Sequence, residues 1–147
     1  MTDHLGRALL GPTGEHHATA TPRLVELTVG MAELPLVRTV AAAIAMREDY
    51  DIEAIADVKL IVDEACSLLV DRAVAGTALV CRFEIAPSRI RFSAAVEGFD
   101  ARPIDDTTLG WGLLVSLVDD INHTVDTSRP LPVLRIDVDV RRERSRP

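Results

Sequence analysis

The stretch that most constrains the fold runs from Ala56 to Ala73, ADVKLIVDEACSLLVDRA. At about 100° per residue, its apolar residues share one stripe of a helix and its polar residues lie opposite. We therefore predict an amphipathic helix, with Asp57 in its first turn and Gly76 just past its end. The stripe comprises Val58, Ile61, Val62, Ala65 and Leu69, and the polar face comprises Lys59, Asp63, Ser67 and Asp71.

Glu64 lies on the shoulder of this apolar stripe, and Leu68 follows it one turn later on the same shoulder. A carboxylate at the edge of a buried face is a candidate for a functional site. An ordinary half-exposed glutamate gives the same pattern, so the choice depends on the rest of the chain.

Length and charge exclude several classes of protein. A chain of 147 residues with 48% apolar content fits one domain that buries roughly 68 to 70% of its unfolded surface. The net charge of -7 disfavours binding to nucleic acid or to an anionic membrane. No apolar run approaches the roughly 18 residues that span a bilayer, and the N-terminus does not resemble a signal peptide, so we predict a cytoplasmic protein.

The two cysteines, Cys66 and Cys81, have the spacing of neither a metal site nor a redox pair. Both lie in apolar runs, which predicts buried, reduced thiols that act as small hydrophobic residues. His16 and His17 stand in a loose Gly-, Thr- and Ala-rich stretch without carboxylate or cysteine neighbours, so the sequence predicts no metal site.

The remaining segments alternate between strand and helix patterns. Five segments show the alternation that is typical of strands. Two segments besides the central helix show helical spacing. The predicted strands are 24–29, 78–86, 90–96, 123–126 and 133–140. One predicted flanking helix is 33–47, with Leu36, Val40, Ala43 and Ile44 inward. The other is 109–121, with Leu113, Leu117, Val118 and Ile121 inward.

This order predicts an α+β fold, a two-layer sandwich in which a mixed, mostly antiparallel sheet is covered on one face by about three helices. We predict a disordered N-terminal tail over residues 1–22, a single domain over 23–141 and a short basic tail over 142–147. The arginines of that tail fit a solvated end better than a nucleic-acid contact, since the rest of the chain is acidic.

Three segments together resemble the GHKL ATP-binding superfamily, and within it the anti-sigma-factor serine kinases of the RsbW type, particularly the actinobacterial anti-sigma-F factors. They are LPLVRTVAAAI at 34–44, VDEACSLL at 62–69 and LGWGLLVSLVDDI at 109–121. The resemblance covers residues 24–140 and rests on the order and spacing of these segments.

The resemblance implies a cytoplasmic regulator of the stress response that sequesters an alternative sigma factor until an anti-anti-sigma protein competes for it. It also implies a homodimer and a Mg²⁺-ATP site. In that site Glu64 corresponds to the catalytic base, and Gly98, Gly110 and Gly112 correspond to nucleotide-binding glycines. Arg38 matches an arginine that the family uses to dock its partner.

Four departures from the family pattern predict that phosphoryl transfer is weakened or lost. Leu68 stands where the family has a magnesium-binding asparagine, and only Gly98 survives from the Asp-x-Gly-x-Gly box in VEGFD at 96–100. The segment from Gly98 to Gly110 is short for an ATP lid, and Leu-Pro-Val at 131–133 replaces a Gly-Thr pair. ATP and Mg²⁺ therefore remain doubtful cofactors.

Two other functions stay open at this point. The chain is an active serine/threonine kinase that phosphorylates its antagonist if Glu64 and bound magnesium still work together. It is an unrelated α+β interaction module if it binds neither sigma factors nor their antagonists. An acidic loop, formed by Asp49, Asp51 and Glu53, is either a surface for a basic partner or a solvated connection.

Overall fold

The computed structural model describes residues 23–143, so the predictions for residues 1–22 and for the end of the basic tail lie outside it. The chain forms five strands and three α-helices, with a 3-10 turn at Met31–Glu33. In order they are β1 (Arg23–Val29), α1 (Leu34–Arg47), α2 (Ile52–Val70), β2 (Leu79–Ala86), β3 (Arg89–Glu97), α3 (Leu109–Leu117), β4 (Asp120–Asp126) and β5 (Val133–Arg141).

The five strands form one sheet in the order β1-β2-β3-β5-β4, and each of the four pairings is antiparallel. The inward side chains of β2, β3 and β5 alternate with exposed ones and pack under the helices. The predicted two-layer α+β sandwich is therefore confirmed. No helix within residues 23–143 is long and apolar enough to cross a membrane.

The central helix α2 is confirmed, and all five residues of its predicted apolar stripe are buried. It begins at Ile52, four residues before the predicted start, because Asp51 caps it by accepting a 2.8 Å hydrogen bond from the Ala54 amide. Asp57 therefore lies in the second turn. The helix ends at Val70, before Gly76. Gly76, at a φ of 82°, belongs to the turn that follows.

Of the residues predicted to face inward on α1, Ile44 is buried and Val40 is partly buried against the core, whereas Ala43 is exposed. Val37, Ala41 and Ala45 are buried, whereas Leu36 is 45% exposed. The segment is apolar on most of its circumference, so its pattern alone did not identify the side that packs on α2.

The third helix is shorter than predicted, since it ends at Leu117 and the chain continues as β4. The Asp119 amide donates to the Asp139 carbonyl oxygen at 2.9 Å, so pairing with β5 replaces the last helical turn. Leu114 is the fully buried residue of α3, whereas Leu113 is 36% exposed and Ile121 belongs to the strand.

Both cysteines are buried and free of disulfides, as predicted. Cys66 lies on α2 and Cys81 on β2, and a hydrogen bond to the Cys81 side chain together with burial raises the pKa of the Cys66 thiol. The high pKa keeps this thiol protonated and unreactive.

Tyr50 ties the connection between α1 and α2 to the last strand. Its hydroxyl donates a 2.9 Å hydrogen bond to the Val140 carbonyl oxygen, and the residue is 4% exposed. Burial is the main cause that raises the pKa of Tyr50 from 10.0 to about 12. Because the folded-state pKa is the higher one, the associated stability is complete below pH 10 and is lost as pH rises toward 12.

Replacing Tyr50 by phenylalanine is expected to lower the free energy of unfolding at neutral pH by about 1 to 2 kcal/mol, because the Val140 carbonyl loses its donor. The wild type should lose roughly 2 to 3 kcal/mol more between about pH 9 and pH 12, and Tyr50→Phe should lack this part of the decline. Urea denaturation at a series of pH values measures both. Equal alkaline losses in the two proteins would contradict this assignment.

Candidate functional site

Three residues that the sequence singled out meet where α2 packs against α3. Glu64 and Leu68 lie one turn apart on α2, and Gly110 is the second residue of α3. A Cβ on Gly110 would overlap a carboxylate oxygen of Glu64 and lie 3.2 Å from its Cδ and 3.5 Å from Leu68 Cδ2. The start of α3 therefore sits directly on the Glu64 carboxylate and the Leu68 side chain.

The N-terminus of α3 is capped from within the chain. Thr108 is the cap residue, and its hydroxyl accepts a 3.2 Å hydrogen bond from the Trp111 amide. The first amides of a helix favour negative charge, and the Glu64 carboxylate lies beside them at Gly110. The Glu64 carboxylate therefore lies beside the start of α3, as the resemblance implies for a catalytic base next to nucleotide-binding glycines.

Gly112 differs from Gly110 because it is exposed, and a Cβ there would meet nothing within 4 Å. Gly112→Ala is expected to raise the free energy of unfolding by about 0.5 to 1 kcal/mol, because alanine favours a helix more than glycine does. Gly110→Ala should not show this increase in the free energy of unfolding, because the added Cβ displaces the Glu64 side chain. The double variant Glu64→Ala/Gly110→Ala should show the increase again.

Chemical denaturation of the two alanine variants, of Glu64→Ala and of the Glu64→Ala/Gly110→Ala double variant measures this coupling. Gly112→Ala serves as the control for helix propensity. Equal stabilisation by Gly110→Ala and Gly112→Ala would show that Glu64 does not pack on α3.

Gly98, the fourth predicted site residue, lies away from this contact at the end of β3. Its amide donates to the Pro132 carbonyl oxygen at 2.8 Å, and an added Cβ would lie 3.0 Å from Leu134 Cδ1. The close approach to Leu134 favours glycine, since a Cβ here would require the Leu134 side chain to shift, and this is a structural reason for the residue.

Arg72 holds the segment that follows Gly98. Its guanidinium donates to the Asp100 carboxylate and to the Arg102 carbonyl oxygen, both at 2.6 Å, and to the Pro103 carbonyl oxygen at 3.0 Å. The Phe99 ring lies 5.9 Å from the same guanidinium, within cation–π range. We call this arrangement the Arg72 clamp, and the sequence analysis did not identify it.

Asp100 is the acidic partner in the Arg72 clamp. The Arg102 amide, which donates to it at 2.9 Å, is the main cause that lowers the pKa of this carboxyl, and the side chains of Arg72 and Arg102 lower it further. The carboxylate is therefore ionised and bonded throughout the neutral range.

The connection between β3 and α3, residues 98–108, contains no helix. Ile104 is 4% exposed and inserts into the core, so the middle of the connection is anchored in addition to the Arg72 clamp. Near its end, Asp105 accepts hydrogen bonds from the Thr107 hydroxyl and amide, which lower the pKa of Asp105. This segment is a bound connection rather than a free flap.

Arg38 lies on α1, as predicted, and its side chain is 41% exposed. Its Nε donates a 2.9 Å hydrogen bond to Asp63 Oδ1, where Asp63 precedes Glu64 on α2. The prediction had assigned Asp63 only to the solvent face of the helix. Because Arg38 is half exposed, its ion pair is screened by water and leaves the guanidinium accessible on one side.

Each acidic residue of the loop between α1 and α2 has a structural explanation. Asp51 is the α2 cap, and Asp49 adopts a positive φ of 63°, a conformation in which aspartate is more common than most residues. Glu53, in the first turn, suits the positive end of the helix dipole. These roles explain the residues without a bound partner.

Leu68 does not fit the magnesium-binding position of the family site, because it offers no ligand atom and packs against Gly110. Glu64 keeps the position of the catalytic base, beside the start of α3. Within residues 23–143, no group of three or more His, Cys, Asp or Glu side chains has the geometry to hold a metal ion.

Comparison with known proteins gives two matches. Both are named anti-sigma-F factor RsbW, from Mycobacterium tuberculosis strains CDC 1551 / Oshkosh and H37Rv, and each is 33% identical over 114 residues. The match covers 74% of this chain and 66% of each relative, so the chain spans just under two thirds of their length. No family model matches the chain. The resemblance to RsbW-type anti-sigma factors predicted from the sequence is confirmed.

Proposed function

From its relationship to the RsbW-type anti-sigma factors, we propose that this chain is an anti-sigma factor that binds and sequesters an alternative sigma factor of the F or B class. The similarity over 114 residues is the observation that carries the proposal. The two-layer fold supports it, because the first two segments that resemble the family lie on α1 and α2, and the third begins on α3 and continues into β4. These helices form one layer and leave their outer sides available to a partner.

We further propose that sigma binding does not require Mg²⁺-ATP. Leu68 supports this, since it places an apolar side chain without a ligand atom against Gly110, at the position of the family's magnesium-binding asparagine. The Arg72 clamp and the buried Ile104 support it as well, because a segment held at two points closes poorly over a ligand.

The regulation we propose is partner switching in the cytoplasm during a stress response. An anti-anti-sigma protein competes for the chain and releases the sigma factor. The name of the two relatives, anti-sigma-F factor, supports the sigma partner. The antagonist and the homodimer are proposed from the family resemblance. Arg38 is the candidate contact residue, because its half-exposed guanidinium can form bidentate pairs with a carboxylate.

Calorimetric titration with a candidate F- or B-class sigma factor from the same genome, with and without Mg²⁺-ATP, tests both proposals. We expect a 1:1 or 2:1 complex whose dissociation constant is unchanged by the nucleotide. Binding that depends on Mg²⁺-ATP would overturn the nucleotide-independent mechanism only. No binding in either condition would overturn the anti-sigma function.

A serine/threonine kinase that phosphorylates the antagonist is the second candidate, and the position of Glu64 beside the start of α3 favours it. In that function Glu64 acts as the general base for the attacking hydroxyl. Incubation of the chain and a candidate antagonist with radiolabelled ATP tests it. Label that reaches the antagonist with wild type but not with Glu64→Gln would establish the kinase, and its absence with wild type would eliminate it.

A further inference from the structure

His123 on β4 contacts two other parts of the chain. Its Nε2 atom lies 3.8 Å from an Asp106 carboxylate oxygen, and its ring lies 5.1 Å from the Trp111 ring, at an interplanar angle of 84°. Asp106 belongs to the connection between β3 and α3, and Trp111 lies in the first turn of α3. One side chain of the edge strand therefore contacts both the end of the connection and the start of the helix. We call these three residues the His123 cluster.

The strength of the His123 cluster depends on the charge of its histidine. The 3.8 Å between His123 and Asp106 is longer than a hydrogen bond, so a neutral imidazole holds the carboxylate only weakly. A protonated imidazole forms an ion pair over the same distance, and it lies within the range of a cation–π contact with Trp111. The His123 side chain is 22% exposed, so water screens this ion pair only in part.

The groups packed around His123 leave Asp106 as its ion-pair partner. On the inward side of β4 the neighbours of His123 are aliphatic, and its register partner on β5 is Ile136. Helix α3 carries no titratable residue, and the Glu64 carboxylate of α2 lies against the start of α3. In the connection, Asp105 accepts hydrogen bonds within its own turn, whereas Asp106 faces the imidazole.

We propose that protonation of His123 turns this cluster into a latch, in which the imidazolium binds the Asp106 carboxylate and fixes the end of the connection to β4. Histidine ordinarily changes its charge between pH 5 and pH 8. The ion pair exists only in the protonated form, so the latch tightens as pH falls through this range. The latch does not depend on the proposed anti-sigma function.

The Arg72 clamp does not respond over the same range of pH. Its hydrogen bonds lower the pKa of Asp100 and keep that carboxylate ionised, and arginine stays protonated. The connection is therefore held at residues 100–103 by an anchor that is indifferent to pH and at Asp106 by one that requires a proton. Acidification should tighten only the part of the connection that leads into α3.

Fluorescence of the full chain tests whether the proton binds at His123. Trp111 is the one tryptophan of the sequence, and His123 is the one histidine between residues 23 and 143. An imidazolium quenches indole emission more strongly than a neutral imidazole does, so emission should fall from pH 8 to pH 5.5 in wild type and in Asp106→Asn. It should stay constant in His123→Gln. Constant emission in wild type, or an equal fall in His123→Gln, would overturn the proposal.

Hydrogen exchange at pH 8 and pH 5.5, corrected for the intrinsic rates, tests whether the proton also tightens the contact. We expect the protection of residues 105–112 to rise about 2- to 5-fold at the lower pH in wild type. It should not rise in His123→Gln or Asp106→Asn. Asp120→Asn is the charge-matched control and should keep the wild-type rise, because Asp120 lies on the same strand but lines the cleft on the outer sheet face.

Residues 98–104 serve as the internal control, because the Arg72 clamp should keep their protection constant. Constant protection of residues 105–112 in wild type, or an equal rise in Asp106→Asn, would overturn the latch. A rise of the same size over residues 98–104 would indicate a general stabilisation and would overturn it as well. Circular dichroism at both pH values verifies that each variant is folded, and His123→Asn replaces His123→Gln if the latter is not.

Discussion

Phe83→Ala is expected to lower the free energy of unfolding by about 3 to 5 kcal/mol, which is a large part of the total stability of a domain of this size. Phe83 is completely buried on β2, and the antiparallel register places it directly opposite Phe92 on β3. The two rings are 4.9 Å apart and tilted by 42°. Truncation removes this aromatic pair and leaves a cavity beneath the helix layer.

Phe99→Ala is the matched control, because Phe99 is 57% exposed and contacts the Arg72 guanidinium. Its loss should cost less than about 1 kcal/mol. If Phe83→Ala does not fold, Phe83→Leu should still fold and lose about 1 to 2 kcal/mol in urea denaturation. Equal losses at the two phenylalanine positions would contradict the assignment of Phe83 to the core.

The sheet could be predicted from the sequence because its strands alternate cleanly. The predicted strands 78–86, 90–96 and 133–140 coincide with β2, β3 and β5 to within one residue at each end, and their alternate apolar residues are buried. A period of two assigns each side chain to one face, so a single buried face fixes the register. The central helix was predictable for the same reason, since its stripe has one clear apolar side.

The helices with a less distinct pattern were only partly predictable. Around α1, nearly every position is apolar, so the side that meets α2 is set by tertiary packing and not by periodicity. At the end of α3, Val118 and Ile121 continue a helical spacing, yet pairing with β5 turns the chain into a strand. Long-range hydrogen bonds of this kind have no local signal in a single sequence.

The candidate site was also only partly predictable from the sequence. Glu64, Leu68 and Gly110 were selected through the family resemblance, and the structure brings these three together. Arg72 and the ion pair of Arg38 with Asp63 were missed, because their partners lie 28 and 25 residues away in the chain. The one local feature at Arg72 is that this arginine follows the end of the apolar stripe and precedes a partly buried turn.

Arg72→Ala is expected to be the most disruptive change outside the core, with a loss of about 2 to 3 kcal/mol in the free energy of unfolding. It removes three hydrogen bonds from a guanidinium whose side chain is only 14% exposed. The Nε atom is buried and has no hydrogen-bond partner among residues 23–143, so part of the gain from these bonds is offset in the wild type. Hydrogen exchange should rise across residues 98–104, where the backbone loses its anchor, and stay unchanged in β2.

Arg102→Ala tests whether charge alone explains the effect, since Arg102 also binds Asp100, at 3.0 Å, but its side chain is 71% exposed. An exposed pair contributes little, so this variant should lose less than about 1 kcal/mol and keep the exchange pattern of the wild type. Unchanged exchange over 98–104 in Arg72→Ala would mean that Ile104 alone holds the connection. Faster exchange in Arg72→Ala, with sigma binding still indifferent to Mg²⁺-ATP, would show that the mobility of this segment does not by itself restore a nucleotide site. Leu68, which packs against Gly110 and offers no ligand atom for Mg²⁺, would then be the residue to which the missing nucleotide dependence is assigned.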